Sequence, residues 1–273
     1  MKISASIVLY NTNFEDLHDS IQIFRFSTHS NLNKRLILID NSSTNILKNV
    51  IKTEDILYIH NPKNTGFGDA HNIAIREAQR WGSDYHFVIN PDVKANSDVI
   101  APMIEYMEKH QNIGMMMPKI LNFDGSEQNL PKLLPSPYSI FMRKLKKPEF
   151  IYKDFIKKYE LRDAPKDMIY EAPILSGCFT LFRMKALQEI GLYDEKFFMY
   201  FEDWDISRRM NQKYKTVYFP KVAIYHGYES GANKSSRLFK IFVESAITYF
   251  NKWGWIMDSD RHEINTKTLE QFK

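Results

Sequence analysis

Tyr85-His86-Phe87-Val88-Ile89-Asn90-Pro91-Asp92 is the stretch whose reading sets the fold. A run of aromatic and β-branched residues reads as a strand buried on both faces, and it stops abruptly in an amide, a proline and a carboxylate. Proline cannot donate to a ladder, so pairing ends there and Asp92 stands at the edge of a sheet. A carboxylate in that place can hold a hard cation, although Asn-Pro-Asp is also ordinary turn chemistry.

The same pattern recurs on either side. Upstream, apolar runs over residues 3–10, 36–40 and 56–60 end in Tyr10-Asn11, Asp40-Asn41 and His60-Asn61. Helical spacing separates them over 14–26, over a short segment at 45–52 opened by Asn41-Ser42-Ser43, and over 69–81. Downstream come a helix over 96–109 and a strand over 113–121. Alternating strands and helices with short connections predict an α/β fold, a mostly parallel central sheet flanked by helices. In such a sheet the polar strand ends share one edge, where ligands bind. Residues far apart in the chain therefore converge on one cleft.

Residues 122–170 break the pattern. Pro131, Pro135 and Pro137 are followed by Arg143, Lys144, Lys146, Lys147, Lys153, Lys157 and Lys158. This predicts a long irregular insertion with a helix around 151–159. Its cations suit a solvated surface, or a patch facing a membrane or an acceptor phosphate. Order returns with an apolar segment at 172–182 that contains Ser176-Gly177-Cys178, a helix at 184–190, and short strands at 216–219 and 222–225 around Pro220. An aromatic-rich amphipathic helix at 235–255 either packs on the body of the domain or lies at a membrane interface.

The totals exclude several classes. Of 273 residues, 37 are Lys or Arg and 33 Asp or Glu, a net charge of +4. That is too little to argue for nucleic acid, but compatible with anionic substrates or an anionic membrane surface. The single cysteine, Cys178, rules out an internal disulfide or a cysteine-built zinc site and reads as a small buried side chain. The apolar run after Lys2 reads as a first strand rather than an export signal. No 18-residue apolar stretch is present, so no span is predicted.

Phe198-Met199-Tyr200-Phe201-Glu202-Asp203-Trp204-Asp205 is the other dense stretch. Three acids among aromatics are costly to bury unless paired, bound to metal or used chemically. They also suit the first turn of a helix running to about residue 213, where Asp205 can pair with Arg208 or Arg209. His226 ends a strand before Gly227; with Asp92 it offers imidazole and oxygen donors to Mn²⁺ or Mg²⁺. In Asn64-Thr65-Gly66-Phe67-Gly68 the glycines permit close backbone approach ahead of a helix N-terminus. The third glycine of a dinucleotide fingerprint is missing, and no Walker loop is present.

Taken in order, Ile7-Val8-Leu9-Tyr10-Asn11, Ile39-Asp40-Asn41-Ser42-Ser43, Asn64-Thr65-Gly66-Phe67-Gly68 with Asn72, Asn90-Pro91-Asp92, Ser176-Gly177-Cys178, Gly191-Leu192-Tyr193-Asp194-Glu195 and Phe201-Glu202-Asp203-Trp204-Asp205 resemble the motifs of the family 2 glycosyltransferases. The similarity is greatest to the bacterial rhamnosyltransferase-like branch, covers residues 1–255, and is poorest over 122–170. It implies a GT-A fold in one domain: a nucleotide-sugar-binding half (1–92), an acceptor-binding and catalytic half (93–230) and a C-terminal helical extension (231–273).

By that resemblance Tyr10, Asn11 and Asp40 hold the nucleoside, and Asn64, Gly66, Phe67 and Asn72 line its pocket. Asn90-Pro91-Asp92 stands where the family has Asp-X-Asp, so Asn90 can only hydrogen-bond while Asp92, with His226, carries Mn²⁺ or Mg²⁺. Ser176, Gly177, Cys178 and Trp204 form the floor under donor sugar and acceptor, Asp203 is the catalytic base, and Glu202 orients a sugar. The implied partners are a dTDP- or UDP-linked sugar and a glycan or undecaprenyl-diphosphate-linked acceptor of a bacterial surface polysaccharide. The implied place is the cytoplasm, peripherally on the inner face of the plasma membrane. A UDP-hexose or galactofuranose donor stays open. So do a sugar nucleotidyltransferase, which would want a glycine-rich phosphate loop absent here, and a non-catalytic binding module on the same fold.

Overall fold

The computed structural model describes residues 1–28, 32–49, 55–227 and 235–273. The first half runs β1 (Lys2–Leu9), α1 (Phe14–Arg25), β2 (Asn33–Asp40), a 3₁₀ turn (Ile46–Asn49), β3 (Ile56–His60), α2 (Phe67–Trp81), β4 (Tyr85–Ile89), β5 (Val93–Lys94), α3 (Ile100–Lys109) and β6 (Ile113–Leu121). The second runs α4 (Pro137–Leu145), α5 (Glu149–Tyr159), β7 (Tyr170–Glu171), β8 (Phe179–Arg183), α6 (Met184–Ile190), α7 (Glu202–Asn211), β9 (Lys215–His226), α8 (Ser236–Trp253) and α9 (Ser259–Glu270).

These strands form one sheet in the order β3-β2-β1-β4-β8-β6-β9-β5, with β7 on β9. β1 to β4 are mutually parallel, and β6 and β9 run with them, so the expected mostly parallel sheet is present. β8 runs against β4 and β6. That reversal matters for the site, because it carries the start of β8 to the edge where β4 ends. β4 and β8 are buried throughout, which is why apolar residues dominate both.

The register brings the polar strand ends abreast. Leu9 pairs with Asp40 and Asp40 with His60, while Ile89 pairs with Ile7 and with Phe179. Chain order reverses between β1 and β4, the crevice position in open α/β sheets. A cleft of about 470 Å³ opens there, between Asn11–Asp16 and Asn90–Asp92. A larger hollow of about 590 Å³ lies between the end of α7 and α9 and holds none of the candidate residues.

Several expectations need correction. The insertion at 122–170 holds one helix more than expected: it carries α4 as well as α5. Its overlooked signal is Ser136-Pro137-Tyr138-Ser139, where Ser136 caps Ser139 reciprocally and Pro137 occupies the first turn. The helix expected at 96–109 starts at Ile100, because Asp98 Oδ1 accepts from the Ile100 and Ala101 amides and ends the preceding turn. The two strands expected around Pro220 are one strand, β9, whose pairing with β6 slips between Pro118 and Lys119. Within the expected helical extension at 231–273, α9 is a second helix beyond the one read at 235–255: its apolar periodicity is weak, and its N-terminus is set by Asp258, which caps it. Part of the helix expected at 45–52 lies outside the described residues; Ile46–Asn49 is a 3₁₀ turn.

Candidate active site

α7 is built so that its three acids meet different fates. Asp205 is fully buried and structural: Arg209 Nε lies 2.8 Å from Oδ2, and Trp253 Nε1 and Lys252 Nζ each 2.8 Å from Oδ1. The pairing expected at helical spacing is thus with Arg209, and the same carboxylate anchors α8. Arg208 turns the other way, bidentate to Asp258 at 2.8 and 2.6 Å and stacked on Trp253. α8 packs on the domain through Tyr249 and Phe250, joining Phe197 and Phe201 in a second apolar cluster.

Glu202 and Asp203 make no ion pair among the described residues. Tyr200 and Phe201, immediately before them, both take positive φ (70° and 67°), a left-handed pair that non-glycine residues adopt only under constraint from their surroundings. Asp203 is half-buried; Oδ2 accepts from the Gly177 N–H at 3.2 Å and Oδ1 from the Trp204 N–H at 2.9 Å. Burial pushes its carboxyl up to about 6, against the lowering effect of the Gly177 N–H and of Lys132. Glu202 is buried with Oε2 lacking any hydrogen-bond partner, and burial together with the Asp203 charge holds its carboxyl well above the ordinary range.

The loop after β3 is pressed against this segment. Gly66 has φ +98°, and a Cβ there would stand 2.1 Å from the Phe198 carbonyl oxygen, while the Phe67 N–H donates to that oxygen at 2.9 Å. The close approach expected of this glycine is therefore to Phe198. Gly68 lies under Tyr193 and Glu202. Asn72 does not face the cleft: its amide donates to Tyr193 O and accepts from Tyr193 N–H, each at 2.9 Å, clamping the Gly191–Tyr193 loop to α2.

On the nucleoside side, Tyr10 is 57% exposed and Asn11 adopts φ +50° with its N–H on Ser42 Oγ. Asp40 is buried beneath them, accepting from the Ser42 N–H at 2.9 Å and from Tyr58 Oη at 2.5 Å. Asn41 Nδ2 reaches Asn64 Oδ1 and Gly66 O, and Asn61 Nδ2 reaches Asn41 Oδ1, so the two loops are cross-bonded before any ligand arrives.

The end of β4 meets the end of β9. His226 Nε2 lies 3.5 Å from Asp92 Oδ1 and 3.2 Å from Asn90 Nδ2. The Gln128 amide donates from Nε2 to His226 O and Asn122 Oδ1, both at 2.8 Å, which turns its Oε1 towards His226 Nδ1. Nδ1 then carries the proton and the Nε2 lone pair faces Asp92. Burial lowers the pKa of His226, so the ring is neutral.

One dipeptide ties these ends together. The Asn90 N–H donates to Cys178 O at 2.8 Å, while the Gly177 N–H holds Asp203. Burial first, then the charges of Asp92 and Asp203, push the Cys178 thiol up to about 12, so it is no nucleophile. Ser176 accepts from the Cys178 N–H and closes this turn. Trp204 faces away, its ring against Phe201 and Tyr249.

The family model for glycosyl transferase family 2 matches residues 4–191, well over half of the chain. The chain belongs to that family. It is similar to the N-acetylglucosaminyl-diphospho-decaprenol L-rhamnosyltransferase of Mycobacterium tuberculosis, 26% identical over 83% of this chain and 75% of that protein. It is also similar to the rhamnosyltransferase WbbL of Escherichia coli, 25% identical over 79% of this chain and 81% of that protein. The structure of GalNAc-T7 with UDP, GalNAc and Mn²⁺ superposes with a TM-score of 0.65 at 18% identity, over 99% of this chain and 54% of that one. The chain thus spans about half the length of that structure, and the likeness is one of fold. The protein is a glycosyltransferase with the GT-A fold.

Two features of this glycosyltransferase are invisible in its motifs. Lys132 is buried near Asp203, donating to the Asn129 and Leu130 carbonyls, and burial lowers its ammonium to about 8. Gln128 orients His226 from the insertion. Neither stands in a recognisable pattern; each is brought in by the chain's return from β6. Among the described residues no group of three His, Cys, Asp or Glu could hold a metal unaided. Asn90 Oδ1, however, is buried without a partner beside Asp92 and the His226 lone pair. An orphaned acceptor, a carboxylate and a neutral imidazole fit a divalent cation that takes its remaining ligands from a substrate.

Proposed function

We propose that this glycosyltransferase moves a sugar, with inversion, from a nucleoside diphosphate carrier to a hydroxyl of a lipid-linked glycan of a bacterial surface polysaccharide. The observation that carries the reading is the Gly177–Cys178 dipeptide, which binds Asp203 by one amide and the Asn90 strand end by one carbonyl. A sugar seated on that floor has a carboxylate on one side and the Asn90, Asp92 and His226 group on the other, as a single displacement requires.

Asp203 takes the proton of the acceptor hydroxyl as its oxygen bonds to the anomeric carbon and the bond to the diphosphate breaks. A base so placed contributes about 10²–10⁴-fold. Its raised pKa, about 6, makes it a better proton acceptor than an ordinary aspartate while leaving it ionised at neutral pH. Glu202, held neutral by burial, offers an O–H to a sugar hydroxyl. Asp92 and His226, with Asn90, would hold Mn²⁺ or Mg²⁺, which when bound stabilises charge on the departing diphosphate. Tyr10, Asn11, Asn64 and Phe67 form the nucleoside wall; Asp40 acts from beneath it by fixing the Ser42 turn.

dTDP-rhamnose is the favoured donor, because two relatives are named rhamnosyltransferases; the UDP bound to GalNAc-T7 keeps a UDP-hexose as the second reading. A thermal-shift panel of nucleotides and nucleotide-sugars, with and without Mn²⁺, separates them. A ligand of the native state adds about 2.7 kcal/mol at a hundred times its dissociation constant. A metal-dependent shift with dTDP-rhamnose is expected. A shift with UDP-hexoses alone changes the donor but not the mechanism. No shift with any of them, with or without Mn²⁺, overturns the reading.

A further inference from the structure

We propose that the outer face formed by α4 and α8 docks this protein on the surface of an anionic lipid bilayer, beside the acceptor end of the cleft. The inference rests on the reading that the acceptor is lipid-linked, and names the surface that would bring enzyme and acceptor together.

The face is built from two apolar stripes. On α4, Tyr138, Phe141 and Leu145 follow at helical spacing and are 54%, 57% and 51% exposed, while Ser139 and Met142 on the other side are buried. On α8, Phe239, Val243 and Ile247 do the same at 48%, 37% and 43%, opposite the buried Ser245 and Tyr249. Lys144 joins the two helices: its Nζ lies 5.1 Å from the ring centroid of Phe239 and 4.9 Å from that of Phe242. Phe150, at the start of α5, adds a ring that is 71% exposed. Apolar residues scattered singly on a surface mean little, but two adjoining helices each presenting a continuous stripe form a patch that wants a partner.

Charge decides which partner. Lys146, Lys147 and Arg237 make no ion pair among the described residues, and Lys144, over two aromatic rings, and Lys240, paired with Glu244, add their charge beside them. The neighbouring acids are engaged: Glu149 with Lys153 at 2.7 Å and Glu244 with Lys240 at 3.7 Å. A second copy of this chain meeting the face about a two-fold axis would set these cations against their own equivalents. Anionic headgroups would neutralise them while the rings enter the interface. No helix among the described residues is long and apolar enough to cross a membrane, so the contact is one of lying on the surface.

The position suits the chemistry. Arg143, on the inner side of α4, has its guanidinium 5.8 Å from the centroid of the Trp204 ring, and Trp204 follows the base Asp203. α4 therefore joins the ring of Trp204, the residue after Asp203, to the apolar face. A glycan tethered to the bilayer would reach Asp203 along it.

The test is flotation of the full chain with vesicles of phosphatidylcholine alone and of equimolar phosphatidylcholine and phosphatidylglycerol. Binding to the anionic vesicles is expected to be at least about tenfold tighter than to the neutral ones. The double variant Phe141→Ser/Leu145→Ser should lose it, and Lys146→Glu/Lys147→Glu should reduce it about tenfold or more, with melting temperature and nucleotide-induced shift unchanged in both. No preference for anionic vesicles overturns the proposal, and so does binding that both folded variants retain. A concentration-dependent dimer of the wild-type chain that Phe141→Ser/Leu145→Ser abolishes would assign the face to a second copy instead. Vesicle binding without any nucleotide shift would leave this docking surface standing while the proposed reaction falls; the reverse result would do the opposite.

Discussion

Asp92 and Asp203, joined through the Gly177–Cys178 dipeptide, are two carboxylates whose surroundings differ in kind. Asp92 follows a parallel strand, 40% exposed, beside a neutral imidazole and an orphaned amide oxygen. Asp203 opens a helix, half-buried beneath a strained pair of residues, with both oxygens on backbone amides and its pKa raised to about 6. One surrounding suits holding a cation and the other suits taking up a proton. Carboxylates of one cleft acquire separate roles when burial and partners set their proton affinities apart. Asp205 supplies the contrast: on the same helical turn as Asp203, but paired with Arg209, Lys252 and Trp253, it has only a structural part.

That division can be broken at either end. The largest effect is expected at Asp203. Asp203→Asn should lower turnover about 10³-fold with donor affinity unchanged. The same change should stabilise the fold. A carboxyl raised to about 6 disfavours the folded state once ionised, by roughly 2–3 kcal/mol, fully above pH 6 and not at all below the unfolded value near 4. Denaturation at pH 8 and at pH 3.5 checks this: the gain belongs to the first condition only. Normal turnover in Asp203→Asn would sink the base assignment.

Next in size is Asp92→Ala, expected to weaken Mn²⁺-assisted donor binding by about 10²-fold while leaving metal-free nucleotide affinity alone. Calorimetric titration with and without Mn²⁺ measures both, and equal affinities in wild type and variant would remove Asp92 from the metal. The wild-type pH profile is a third check. kcat/KM should fall about tenfold per pH unit below about 6, as Asp203 takes up its proton, and stay flat if the base lies elsewhere. The smallest effect belongs to Gln128→Leu, which frees the His226 ring to turn. A loss of about tenfold or less in Mn²⁺-dependent affinity, with turnover at saturating metal restored, distinguishes an orienting role from a merely structural one.

Much of this was legible beforehand. Runs such as Ile3–Leu9 and Tyr85–Ile89 are buried on both faces of the sheet, which is why they are dominated by apolar residues, and their polar termini mark its ligand edge. Other features were not legible, because their causes are not local. The apolar spacing of α4 is hidden among prolines and lysines, and α9 depends on packing and a cap rather than on a periodic stripe. Asn72 matches a nucleotide-loop motif, yet its amide is bonded to Tyr193, more than a hundred residues away.

The sequence by itself determined the alternation of strands and helices, the family, and the residue types at each strand end, since these follow from short-range periodicity and chemistry. Only the tertiary structure decided the surroundings of each acid. Helical periodicity alone leaves Glu202, Asp203 and Asp205 equivalent in one first turn. They part company because Trp253 and Lys252 arrive from α8 to neutralise one, while burial lifts the pKa of another to about 6 against the opposing Gly177 amide, which arrives from just before an antiparallel strand. Proton affinity depends on burial and on partners brought from distant parts of the chain, and a linear reading contains neither.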